Sequence, residues 1–323
     1  KSNSGIIHPG TQNPPGSLKG RLCVEGNRLT RRIARELGVD FKEVGELIVA
    51  FNDDDVARLR QIKKEAGLLG VRGLAIVDPR WLKIHEPNLN KSVVAALFAP
   101  TAGIISPYRW VYDLAENARC NGVEIFTGTQ VSAIGRNKEG GESRGHGFGL
   151  TTNKGNFEAR FVINCAGLYA DEVSRMAGID DYSIMPRKGE EFILDKKREH
   201  LTNHLIFPLP SATSKGVLMI KTSDGNPMIG PSAEDVDTKD DLSTTAEGLQ
   251  KVLESARRLV PSVNAGDIIS YFAGLRPVAG ADFLIRHEPK VPGMVTVAGI
   301  QSPGLTSAPA IARMVAGILN DNG

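Results

Sequence analysis

The sequence is short of the features that would place it in several large classes. Its three cysteines, Cys23, Cys120 and Cys165, are far apart and form no CxxC pair. That spacing argues against a disulfide framework or a zinc site and for a reducing compartment. No apolar run is long enough to span a bilayer and no signal-peptide pattern occurs, so the expectation is a cytoplasmic protein, with peripheral membrane docking left open. An excess of one charge is missing too: 39 Lys and Arg against 37 Asp and Glu leave a net charge of +2, with no long block of either sign. A nucleic-acid or polybasic membrane role therefore has no support, and a small-molecule site fits better. Neither a strand-associated GxGxxG nor a GxxxxGK phosphate loop is found; Gly145-His-Gly-Phe-Gly149 comes nearest but has the wrong spacing. An initiator Met is also missing, and Lys1-Ser-Asn-Ser-Gly5 reads as the middle of an element.

What is present is ordinary globular material, 323 residues of which 41% are hydrophobic and 24% charged, enough for two cores. Ser17 can cap a helix with an apolar stripe of Leu18, Leu22, Leu29 and Ile33 that Gly38 ends. Residues 46–51 read as a strand, and 53–64 as a helix capped by the Asn-Asp-Asp-Asp run. Asp78-Pro79 opens a short helix, residues 93–98 form a strand, and 101–106 form an apolar loop or strand. A helix from Pro107 to Arg119 followed by a strand at 123–126 has the spacing of a crossover unit. The polar, glycine-rich stretch 136–149 reads as a hairpin tip or loop. Beyond Ile184, short strands at 190–194, 205–208, 217–220 and 227–230 predict an antiparallel sheet. A helix starts near Thr244, and a strand over 267–275 follows.

Four places carry chemistry. Phe161 to Ile163 runs into the small residues Cys165, Ala166 and Gly167 before a helix near Asp171; side chains there would hold a nucleotide away from backbone donors. Val295 to Leu319 reads as strand, glycine loop and helix, with Gly299 and Gly304 allowing close approach of a ligand to the helix start. Arg276, between an apolar strand and Pro277, is placed to meet a carboxylate or phosphate, either structural or on a ligand. Locally, His8 reads as a surface loop residue beside Pro9 and Gly10.

Three motifs together resemble the FAD-dependent oxidoreductases of the D-amino-acid-oxidase-like superfamily, in particular glycerol-3-phosphate and L-2-hydroxyglutarate dehydrogenases. They are Asn3-Ser-Gly-Ile-Ile-His-Pro-Gly10 with the Pro15 to Gly26 run, Val162 to Asp171, and Tyr271 to Pro277 followed by Ala298 to Thr306. The resemblance implies an α/β fold: a Rossmann-like FAD-binding domain (1–45, 107–183 and 272–323) interleaved with an α+β substrate domain on an antiparallel sheet (46–106 and 184–271). It implies that the GxGxxG unit lies ahead of residue 1, outside this chain, and that FAD binding by this chain alone is weak or lost. For the site it implies His8 as base, Arg276 as substrate-anion partner and Lys188 as a basic residue on the active-site strand. Asn3, Ser4, Gly5, Val131, Cys165, Ala166, Gly167, Gly299, Gly304, Leu305 and Thr306 would contact FAD. The implied reaction is oxidation of the CH–OH group of a small anionic substrate, with electrons passed to an unidentified acceptor, by direct contact or through a partner protein. Glycerol 3-phosphate and L-2-hydroxyglutarate stand close as substrates, and a catalytically silent fragment without FAD is the reading from another class. No second arginine follows the Gly10 loop, where Thr11-Gln12 stand, which weighs against phosphate; Glu191 on the active-site strand is an extra carboxylate that repels anions unless paired.

Overall fold

The computed structural model describes residues 2–136, 147–210 and 215–321. The loop expected at 136–149 falls mostly outside them. In chain order, β1 (Ile6–Ile7), α1 (Leu18–Leu37) and β2 (Phe41–Glu43) open the fold. β3 (Glu46–Ala50), α2 (Asp53–Leu68), β4 (Ala75–Val77), α3 (Pro79–His85) and β5 (Ala95–Ala99) follow, then β6 (Gly103–Ile105) and α4 (Pro107–Cys120). β7 (Val131–Arg136), β8 (Phe148–Thr152) and β9 (Gly155–Ala159) lead to β10 (Val162–Asn164) and α5 (Ala170–Met176). Next come β11 (Met185–Leu194), β12 (Leu205–Phe207), β13 (Leu218–Lys221), β14 (Pro227–Gly230), β15 (Glu234–Asp235) and α6 (Ala246–Leu259). The chain closes with β16 (Ile268–Val278), β17 (Leu284–His287), β18 (Met294–Ala298) and α7 (Gly304–Asp321).

Local chemistry sets the helix ends. Ser17 accepts the Gly20 N–H, Asn52 that of Asp55, Asp78 that of Trp81 and Thr245 that of Gly248, while Gly38 closes α1 at a φ of 71° that suits glycine. Nine strands form one large sheet in the order β15-β11-β14-β13-β12-β3-β5-β4, with β16 on β11. It is buried on both faces. Leu47 and Val49 of β3 enter a core covered by Val252 and Ala256 of α6, and Ile48 and Ala50 enter a second core with Leu59 of α2 and Ile6. The sheet is antiparallel except where β12 runs parallel to β3, a mixture that strand patterning alone did not foresee.

Three smaller sheets complete the mixed α/β fold: β1-β6-β2, β10-β18-β17 and β7-β8-β9. Residues 103–105, grouped by sequence with the substrate domain, pair with β1 and β2 instead, antiparallel to both. The crossover expected between Ile104 and Val123 therefore does not form. Residues 123–126 are irregular, with Val123, Ile125 and Phe126 exposed; among the described residues they pair with no strand, although the Phe126 ring meets Phe157 of β9.

α1 packs along α7, with Leu22 and Leu29 meeting Ala310, Ile311 and Val315 over β18. The approach is set by Gly26, where an added Cβ would overlap the Thr306 carbonyl oxygen. Gly26→Ala is therefore expected to cost about 1–3 kcal/mol of stability. Gly317→Ala, on the same helix α7 with nothing within 4 Å of the added Cβ, should gain up to about 1 kcal/mol. Denaturant midpoints for the two variants check the pair; equal midpoints would remove Gly26 as the spacer.

Candidate active site

A cavity of about 670 Å³ opens where the segment after β1, the strands β11 and β16, the residues leading into β13 and the start of α7 converge. His8 reaches it directly after β1. The imidazole is only 8% exposed. Its Nδ1 lies 3.9 Å from Glu46 Oε2 and its Nε2 lies 3.3 Å from Ser302 Oγ. Its backbone is fixed on both sides: the N–H donates to Thr306 Oγ1 (2.9 Å) and the carbonyl accepts from Asn27 Nδ2 (3.0 Å). Burial and then the Lys215 charge push the imidazole pKa down to about 4, against an opposing pull from Glu46. His8 is thus neutral at physiological pH and free to accept a proton.

Arg276 comes from the neighbouring strand pair. β11 and β16 pair antiparallel from Met185↔Val278 to Leu194↔Ile268, so alternate residues of β11 share a face. Arg187, Glu191 and Arg276 line the cavity. Gly189 lies between them, where an added Cβ would overlap Arg276 Nη2, so the missing side chain makes room for the guanidinium. Arg276 Nη2 donates to the Ser232 carbonyl at 2.8 Å, and Arg187 is held by Asp235. Burial lowers the Arg276 pKa, with Glu191 opposing, yet a guanidinium stays charged. Glu191 is 5% exposed and its Oε2 has no hydrogen-bond partner. Burial pushes its carboxyl up to about 7, with Arg276 pulling the other way.

Lys188 is on the opposite face of β11. Its Nζ pairs with Asp241 Oδ2 at 2.9 Å and it does not line the cavity. Strand parity excludes it, because both neighbours, Arg187 and Gly189, face the other way. Lys215 supplies the basic group on the cavity wall instead, its pKa lowered chiefly by burial, and Lys19 adds a second. The second positive partner that the Gly10 loop lacks therefore arrives from distant chain. Lys215 follows a Ser/Thr-rich stretch of sequence with no motif, and only the fold carries it beside His8. Gln12 and Ser302 also line the cavity, and although Ser302 lies within the Ala298 to Thr306 motif, only the fold sets its hydroxyl beside His8.

The residues expected around a flavin divide into groups. Asn3, Ser4, Gly304 and Leu305 line the cavity. Gly5 (φ 71°) sits against the Ile105 carbonyl and Gly299 (φ 66°) against Ala279, both in backbone conformations that suit glycine. Thr306 is fully buried, its hydroxyl tying His8 to Ile6, so its side chain does not face the cavity. Val131 lies on β7, away from it. Cys165, Ala166 and Gly167 follow β10 and precede Leu168 and Tyr169, which line a second hollow of about 480 Å³. Ser2, Asn3 and Leu275 line both hollows. The two together run from the α7 start to the end of β10, an elongated shape that suits a dinucleotide. Among the described residues no acceptor takes the Leu305 or Thr306 N–H, so the start of α7 offers backbone donors and the positive end of its dipole. On these grounds the residues present fit the flavin end of FAD.

The displaced His8 pKa has a thermodynamic consequence. The unfolded imidazole (6.5) binds its proton before the folded one (about 4), so both are neutral above pH 6.5 and His8 then contributes nothing to pH dependence. As pH falls from 6.5 to about 4, stability is lost, on the order of 3 kcal/mol in all. Melting curves across that window should therefore fall more steeply for the native chain than for His8→Gln; parallel curves would show that His8 protonates normally.

The profile of the family described as DAO, FAD dependent oxidoreductase, matches residues 1–318. A glycerol 3-phosphate dehydrogenase of Caloramator mitchellensis is 41% identical over 322 residues, 99% of this chain and 66% of that protein, so the chain spans just under two thirds of its length. A mitochondrial L-2-hydroxyglutarate dehydrogenase of Nematostella vectensis is 30% identical, over 97% of this chain and 80% of that protein. The structure is similar to that of a dithionite-reduced L-α-glycerophosphate oxidase from Mycoplasma pneumoniae with FAD bound. The TM-score is 0.91 at 30% identity, covering 98% of this chain and 84% of that one. The chain belongs to the DAO family of FAD-dependent oxidoreductases.

Proposed function

We propose that the chain oxidises the CH–OH group of a small anionic substrate, glycerol 3-phosphate in the first place. The observation that carries this reading is the meeting of neutral His8, cationic Arg276 and the α7 start in one cavity. Arg276 and Lys215 hold the anion, and His8 accepts the hydroxyl proton at an imidazole nitrogen, with Ser302 and Glu46 orienting the ring. Asn3, Ser4, Gly5, Gly299, Gly304, Leu305 and the Thr306 backbone would hold the flavin end of FAD. Cys165, Ala166 and Gly167 would lie along the dinucleotide, and Val131 near the adenine. When bound, FAD supplies hydride acceptance, and the α7 dipole favours the negative charge that follows. The electrons then pass to an acceptor outside this chain. Three free cysteines, Cys23, Cys120 and Cys165, support a reducing, cytoplasmic setting. Among the described residues no helix is long and apolar enough to cross a membrane.

L-2-hydroxyglutarate is the second reading, favoured by the similarity to the Nematostella protein along most of the chain. An anaerobic panel of glycerol 3-phosphate, L-2-hydroxyglutarate, L-lactate and glycine on the FAD-loaded protein separates the two. Flavin absorbance should bleach with glycerol 3-phosphate at the lowest concentration, and preferential bleaching by the 2-hydroxy acid would reverse the order. A colourless protein that gains no flavin bands with added FAD supports the silent reading instead. In the same assay Arg276→Met should weaken the apparent substrate affinity by about 2–5 kcal/mol. An unchanged affinity would remove Arg276 from the site.

A further inference from the structure

Glu191 has no part in the reaction outlined above, and nothing among the described residues pairs with its outer oxygen. It projects from the same face of β11 as Arg187 and lines the cavity, with Gly230 packed against its stem. The residue is 5% exposed, and among the described residues Oε2 has no hydrogen-bond partner. A buried carboxyl oxygen left without a partner is costly, and it persists where a ligand completes it. The other charged or titratable groups on the cavity wall are basic: Arg187 on the same strand, Arg276 on β16, His8 after β1, Lys19 in α1 and Lys215 before β13. Asp235 of β15 is committed to Arg187, and the alternate β11 residues Lys188 and Glu190 are committed on the far face to Asp241 and Thr245. Among the described residues the carboxyl is thus the sole acidic group on a wall built to hold an anion.

We propose that Glu191 makes anion binding at this site proton-coupled: it takes a proton from water as the anion enters and donates the resulting O–H to an oxygen of that anion. The inference rests on the reading of the cavity as an anion site. An entering anion adds negative charge beside the carboxyl, which raises the cost of ionisation, and the O–H···O⁻ bond gives the buried oxygen its missing partner. The carboxyl is already poised for this, because burial holds its pKa near 7 before any ligand arrives. Repulsion between Glu191 and an anionic substrate is in this way relieved by protonation, without an ion pair.

The test is calorimetric titration of the full chain with n-propyl phosphate, which has the anion but no oxidisable hydroxyl. Above about pH 7.5 its phosphate is mainly dianionic, so titration of that group contributes little. Affinity should fall about eightfold from about pH 7.5 to about pH 8.5, with uptake of about one proton in buffers of differing ionisation heat. Glu191→Gln, which can donate a hydrogen bond without titrating, should flatten the slope and abolish the uptake; Glu191→Met serves if that variant does not fold. Binding that is flat in the native chain, or a slope that persists in the variants, overturns the inference and leaves the anion site intact. No binding by native chain or variant at any pH overturns the anion site and this inference with it.

Discussion

One hydroxyl joins the two ends of the chain. Thr306 Oγ1, at the first turn of α7, accepts the His8 N–H at 2.9 Å and donates to the Ile6 carbonyl at 3.3 Å. Those two bonds bring together residues almost 300 positions apart, and the contact is sealed by Gly26 of α1 against the Thr306 carbonyl. Strand β1 is two residues long and could not fix His8 alone. With Thr306 in place the imidazole stands beside the start of α7, on the wall of the same cavity.

The electrostatics of the cavity follow from burial. Cations on its wall are held out of water, which costs them solvation and makes an entering anion more favourable than it would be at the surface. The same burial keeps His8 neutral and Glu191 near its titration point, so one environment shifts an imidazole and a carboxyl in opposite directions, each toward its neutral form. β11 sorts these roles by parity: Arg187, Gly189 and Glu191 serve the cavity, while Lys188 and Glu190 serve Asp241 and the α6 cap.

What could be read in the sequence was what depends on near neighbours. Ser17, Asn52, Asp78 and Gly38 mark helix ends because caps are settled within three or four residues. The Asn3 to Gly10, Val162 to Asp171 and Tyr271 to Pro277 motifs pointed to the family for a similar reason. Residues 123–126 have strand composition without a strand, because a ladder needs a neighbour that composition does not specify. Lys188 was expected at the site and faces away from it, because one position on a strand reverses the face. Lys215, Ser302 and Glu46 come from three separate regions, and only the closed fold sets them around His8.

The claim on which the rest depends is that one cavity, between His8, the β11–β16 pair and the α7 start, receives the anionic substrate. Amide hydrogen exchange on the FAD-loaded chain, kept anaerobic, with and without glycerol 3-phosphate, tests it directly. Exchange should slow together at residues 6–8, 187–191, 275–277 and 301–306. Slowing confined to the second hollow, around Tyr169, Lys239 and Leu242, would contradict it.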